Sequence, residues 1–206
     1  MGMSMHYIKF IFLILILLTN ACSQSPIVQG DLEGVSSVDS SPQKLADTDL
    51  TNYKSALYAM RDDNLELAES LLQNIIENHP EIAGPYANLG IIYYKKESYK
   101  KALKVLEEAL KLNPGNAYAH NTLALTHQQL SHYPLAEKHF LLAINNKNDY
   151  AIAHYNIALL YDVFFHKIKD SISHYRLYLS LLKKNGASDK KTSDWLEQLE
   201  NSMKKG

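Results

Sequence analysis

The chain has one cysteine, Cys22, in 206 residues. That excludes an internal disulfide and any cluster of cysteine metal ligands. Glycine is sparse as well, at eight residues, and none sits in the strand-to-helix setting of a phosphate-cradling loop or beside a nucleophile elbow. Neither sign of charge dominates: 21 Lys and Arg stand against 22 Asp and Glu, without the like-charged block of a nucleic-acid-binding surface. The apolar run Phe10–Leu18 falls short of the about 20 residues that span a bilayer. Nine histidines are present, but His127-Gln-Gln-Leu-Ser-His132 lacks the i, i+4 histidine pair and the glutamate of a zinc protease. No metal site, cofactor or enzymatic activity is expected from these residues.

What the chain does have is helical period. From Ala83 to Asn116, Tyr86, Leu89, Gly90 and Tyr93 share one face of a first helix, and Ala102, Leu106, Ala109 and Leu110 one face of a second. Small residues, Gly90, Ala102 and Ala109, fall where the two helices would press together. Pro114 closes the unit.

This unit resembles the tetratricopeptide repeat (TPR). The family's signature positions are all filled, by Tyr86, Leu89, Gly90, Tyr93, Ala102, Leu106, Ala109 and Pro114. A step of about 34 residues forward reaches Leu123, Ala136, Phe140 and Ala143; a step back reaches Ala68, Leu72, Ile75 and Pro80. One such unit cannot bury its apolar face alone, so the expected fold class is all-α, a helix-turn-helix solenoid over 48–206 with repeats at about 49–82, 83–116, 117–150 and 151–182. In the fourth repeat the register recovers, as Ser171, Tyr175 and Tyr178, only if one residue is inserted in the turn VFFHKIKD. Tyr178 stands where the family prefers Ala, so a more open last helix pair is expected. Asn185-Gly186 ends that repeat. A helix over 188–204, with Trp195, Leu196, Leu199 and Met203 on one stripe, is expected to cap the array. His120 and His154, one repeat apart at an aromatic core position, and His127 at another, are expected to pack in the core.

The N-terminal segment carries a different signal. A weakly basic start, the run Phe10–Leu18 and then Thr19-Asn20-Ala21-Cys22-Ser23 resemble a bacterial lipoprotein signal. The resemblance implies that residues 1–21 are removed, that Cys22 is lipidated, and that the protein sits in the bacterial envelope, at the outer membrane and facing the periplasm. Thr19 stands where the family favours Leu. Residues 22–47, with SQSP, GDLEG and VSSVDSSP, show neither helical nor strand period and are expected to act as a tether.

For the solenoid, the resemblance implies a concave groove lined by the first helix of each repeat and used to dock a protein or peptide segment. Carried over position by position, its lining is Tyr53, Asn88, Ile91, Tyr94, Tyr118, Asn121, Leu125, Gln128, Tyr155, Asn156 and Leu159. Asn88, Asn121 and Asn156 would form a ladder of amides, able to donate to and accept from a peptide backbone at once. The expected function is an adaptor anchored in the envelope, with pilus or other envelope assembly as its context. Two alternatives are a structural subunit that uses the convex face and a chaperone for exported proteins.

Overall fold

The computed structural model describes residues 47–204; the signal, Cys22 and nearly all of the tether lie outside the described residues. Among those described there are nine helices and no strand. They are α1 (Asp47–Arg61), α2 (Leu65–Asn78), α3 (Ala83–Lys95), α4 (Tyr99–Leu112), α5 (Ala117–Gln129), α6 (Tyr133–Asn146), α7 (Ala151–Val163), α8 (Ile168–Lys184) and α9 (Lys190–Lys204). Helices pair within a repeat, α1 with α2 through α7 with α8, and each pair packs on the next. The first helices of the second and third repeats, α3 and α5, also touch directly. No described helix is long and apolar enough to cross a membrane.

The repeat period shows in burial. Ala68, Ala102 and Ala136 are fully buried at the same place in α2, α4 and α6, as are Leu72, Leu106 and Phe140 one turn further on. Gly90 has its reason in Leu106: a Cβ at Gly90 would lie 2.4 Å from Leu106 Cγ. The Leu106 side chain fills the place a Cβ at Gly90 would take, so the α3 backbone packs directly against it.

Each helix pair is joined by a tight turn, and the turns explain the fourth repeat's register. Asp63, Glu97 and Ser131 adopt φ of 57°, 55° and 60°, at matching places, and bend the chain out of the first helix. The residue that follows donates back into the helix end, Asn64 N to Ala59 O at 2.8 Å, Ser98 N to Tyr93 O at 2.8 Å and His132 N to His127 O at 2.9 Å. In the fourth repeat the left-handed residue is His166, φ 52°, one place later than the period requires. The closing bond there runs from Lys167 N to Tyr161 O at 2.8 Å and encloses one extra residue. The inserted residue is thus held within the turn and leaves the helices in phase.

Two expectations about the C-terminal end are corrected. Tyr178 does not open the last pair: it is 2% exposed, shares a cluster with the small Ala143 and Ala153, and donates its hydroxyl to Asp189 Oδ2 at 3.1 Å. Room for the ring comes from alanines on neighbouring helices. The buried stripe of α9 is Thr192, Leu196 and Leu199, while Trp195 and Met203 stand exposed to its side. Helix α8 runs two residues past Leu182, to Lys184, and ends in a Schellman turn: Gly186, φ 74°, donates to Lys183 O and Ala187 N to Leu182 O.

Candidate functional site

The first helices α1, α3, α5 and α7 carry the residues assigned to the groove, and the structure divides those residues into a floor and a lining. Asn88, Asn121 and Asn156 are buried, at 5%, 0% and 1% exposure. The expected open ladder of amides is therefore corrected: these side chains are covered between neighbouring elements, and their bonds run between repeats. Asn88 Nδ2 donates to Tyr53 Oη at 2.7 Å, joining the first repeat to the second. Asn156 Nδ2 donates to Asn121 Oδ1 at 3.0 Å, joining the third to the fourth. Between them a longer contact, Gln129 Nε2 to Tyr94 Oη at 3.5 Å, links the second to the third.

A fourth rung closes the series, where Trp195 of α9 donates its indole N–H to Asp162 Oδ2 at 2.8 Å. Asp162 is buried, which raises its carboxyl above the ordinary range; the bonds from Trp195 and Tyr175 and the nearby His166 oppose that rise without cancelling it. Every junction along the first helices thus has a polar link. Breaking the Asn88–Tyr53 or the Asn156–Asn121 link would leave a buried group without its partner, at a cost of about 1–3 kcal/mol.

Tyr53, Ile91 and Leu125 are also buried and complete the floor. The hydroxyl of Tyr53 occupies the space over Gly84, where an added Cβ would meet it at 2.7 Å. Accessible above this floor are Tyr94, Tyr118, Gln128, Tyr155 and Leu159, all half-buried, together with the exposed Gln129 and Val163. The tyrosines are braced from beneath. Tyr94 lies 5.8 Å from the ring of Tyr99, Tyr118 4.9 Å from Tyr150, and Tyr155 5.1 Å from Tyr178. Burial, with Asp189 nearby, raises the Tyr155 phenol above its ordinary value, so it remains a neutral donor throughout the physiological range.

Two acceptors on this face lack a donor among the described residues, Gln128 Oε1 and Asn156 Oδ1, and both are buried. Charge is confined to the ends of the groove. At one end Lys95 reaches Asp63 at 3.1 Å and Arg61 reaches Asp62 at 3.1 Å, so these two cations are already paired; Asp162 stands at the other. No group of three histidine, cysteine or carboxylate side chains positioned for a metal occurs among the described residues.

The histidines are buried as expected, but not simply packed. His120 meets His139 and His154 meets His174, each through Nδ1 at 3.0 Å. His139 and His174 went unnoticed in the sequence, although a signal was there: they lie one repeat apart once the inserted turn residue is allowed for.

Residues 90–131 match the family model described as TPR repeat. Over 70 residues the chain is 31% identical to the Hsp70-Hsp90 organising protein of Plasmodium falciparum (isolate 3D7), a match that covers 34% of this chain and 12% of that relative; the chain therefore spans about an eighth of the relative's length. Among solved structures, a thermophilic TPR protein in Thermus thermophilus superposes with a TM-score of 0.61 at 19% identity, covering 77% of this chain and 82% of that one. The first TPR of Spaghetti bound to the HSP90 peptide SRMEEVD superposes with a TM-score of 0.53 at 17% identity, covering 59% and 92%. The matched motif, the period carried on either side of it and the shared architecture agree on the fold: an all-α solenoid of four helix-turn-helix repeats and a closing helix, similar to that of solved TPR proteins.

Proposed function

We propose that the chain is a docking adaptor whose groove holds a segment of a partner protein. The observation that carries this reading is the row of accessible tyrosines along the first helices, Tyr94, Tyr118 and Tyr155, each braced by a second ring. They favour such an occupant because a ring already held in place loses little freedom when a partner covers it. The solved Spaghetti repeat carries a peptide, so the architecture has room for one. The sparse charge of the groove, with Lys95 and Arg61 already paired at one end, favours an uncharged stretch, held with little dependence on salt.

The location is part of the same proposal. The sequence around Cys22 supports lipidation there, and residues 23–46 would let the solenoid stand off a membrane, with outer-membrane machinery such as a pilus or secretion ring as its setting. A convex-face role draws support from Leu135 and Leu141, which are exposed on the outer side of α6. Both readings meet the same experiment. A photo-crosslinking residue is placed at Gln129 or Val163 in the groove, and at Leu141 on α6, in intact cells, and the adducts are identified by mass spectrometry. One protein captured from both groove positions and not from Leu141 is the expected result, and Gln128→Ala should weaken that partner's binding up to roughly tenfold. Capture from Leu141 alone would place the interface on the convex face.

A further inference from the structure

The third and fourth repeats each contain a histidine pair that the groove does not use. His120 on α5 and His139 on α6 meet Nδ1 to Nδ1 at 3.0 Å, and His154 on α7 and His174 on α8 do the same at 3.0 Å. In each pair the first histidine also places Nε2 against a backbone carbonyl of the preceding loop, Pro114 O at 3.0 Å and Asn148 O at 3.2 Å. The second pair lies one repeat after the first, with the extra turn residue accounting for the longer step to His174. The same device is built twice.

Its protonation follows from the acceptors. A carbonyl oxygen can only accept, so Nε2 of His120 and of His154 carries the proton and Nδ1 of each is bare. The partner's Nδ1–H must then donate. Each bond joins the two helices of one repeat through a single proton, and it exists only while the first histidine is neutral. A further proton on His120 or His154 would set N–H against N–H across 3.0 Å. On the second histidine it would place a cation in half-buried surroundings.

Those surroundings oppose a charge. His127 of α5 stacks 5.6 Å from His139 and is itself buried, with an Nδ1 that has no partner among the described residues; His132 of the turn lies 5.7 Å from His127. Lys138 of α6 adds positive charge near His120 and His139. In the fourth repeat Tyr161 of α7 lies 5.8 Å from His174, and Asp170 of α8 favours a charge on His174, against the general trend. Burial lowers all five buried or half-buried histidines, His120, His127, His139, His154 and His174, below their ordinary value, and brings His139 down to about 4.

The first two repeats lack the device. The places of His120 and His139 are taken by Tyr86 and Val105 in the second repeat and by Asn52 and Leu71 in the first. His79, in that half, faces Asp49 at 2.9 Å and so has a carboxylate to meet when charged.

We propose that the two histidine pairs form an acid-sensitive catch, which opens the C-terminal half of the array, α5 to α8, ahead of α1 to α4 as the surrounding pH falls from neutral towards 5. The unfolded histidine binds its proton near pH 6.5 and the folded one only at lower pH, so their contribution is complete above about 6.5 and is lost as pH falls below it. For His139, with a folded value of about 4, this amounts to about a 30-fold larger opening constant at pH 5 than at pH 7.5.

The test is hydrogen exchange with mass spectrometry on the full chain in detergent at pH 7.5 and 5.0, corrected for the intrinsic pH dependence of exchange. Peptides from α5 to α8 should lose at least about tenfold in protection at pH 5.0 relative to those from α1 to α4; equal loss in both halves overturns the proposal. A chain with His120→Tyr, His139→Val, His154→Tyr and His174→Val, the second repeat's own residues, should lose this difference, and if it folds and keeps it the catch lies elsewhere. Independently of that variant, histidine ring 15N shifts of the unaltered chain at pH 7.5 should report His120 and His154 with the proton on Nε2; the Nδ1–H form overturns the scheme. Added zinc should leave the pH 7.5 protection unchanged, and a zinc-dependent gain in α5 to α8 would make the pairs metal ligands instead.

Discussion

Replacing Gly90 with alanine adds one methyl group, and the structure says where it goes. The new Cβ would lie 2.4 Å from Leu106 Cγ, 2.5 Å from Cδ2 and 3.2 Å from Cδ1. Leu106 is fully buried, so it cannot swing aside into solvent. Overpacking of this kind costs about 1–3 kcal/mol, while alanine gains about 1 kcal/mol over glycine in a helix interior. The expected net loss is about 1 kcal/mol, and at most about 2. Leu106→Ala, which empties a core site, should cost about 2–5 kcal/mol. In the double variant the methyl added at position 90 enters the space that Leu106 has left, so the sum of the single effects should exceed the measured loss by about 1–2 kcal/mol. Urea unfolding, read from both the midpoint and the slope, gives all three values on one scale. Additive losses would show that Gly90 is not small on account of Leu106, and that the helix contact which sets the repeat register has been misplaced.

Three further outcomes are expected. Glu97, at φ 55°, holds a conformation that costs a side-chain-bearing residue about 1–2 kcal/mol, against about 0.5–1 for the greater freedom of an unfolded glycine; Glu97→Gly should therefore raise the urea midpoint by the equivalent of about 0.5–1 kcal/mol, and a lowered midpoint would contradict the turn geometry. The Asp162 carboxyl is raised by burial, so its contribution to stability is present at low pH and is lost as pH rises through the raised folded value. Asp162→Asn, which keeps an acceptor for Trp195, should melt at or above the temperature of the unaltered chain at pH 7.5, with the gap narrowing towards pH 4.5, whereas a widening gap would show that the charged form is the favoured one. Cys22→Ser should move the protein from the membrane to the soluble fraction or leave an uncleaved precursor, as fractionation and intact mass would record; a variant that matures and stays membrane-bound would dispose of the lipid anchor.

The register of the repeats was legible because it rests on size alone. Gly90, Ala102 and Ala109 are small where helices touch, and a period of small residues survives in a single sequence. Even the extra residue near His166 could be read, as a slip in that period. The depth of each side chain was less legible. Position along a first helix says which way Asn88, Asn121 and Asn156 point, but not how much of that face the neighbouring elements cover, and the covering turns an expected binding ladder into a set of links between repeats. Trp195 shares a helical stripe with Leu196 and Leu199, yet its indole N–H needs an acceptor, and Asp162 on another helix draws it out of the buried row. The histidine pairs escaped for a related reason: their halves lie on different helices, and each half alone reads as an ordinary core or surface residue.

Helix α9 has a consequence for growth of the structure beyond one chain. A solenoid adds units because each repeat offers the next a bare apolar side, and two chains with such sides at opposite ends could join head to tail without limit, since that contact is heterologous and does not close. Here α9 covers the C-terminal side with Thr192, Leu196 and Leu199 turned inward and shows Lys190, Lys191, Asp194, Glu197 and Gln198 outward. Charged groups on that side would have to lose water before another chain's α1 could stack on them. Among the described residues, that side of the array is thereby made less favourable for another repeat to stack on.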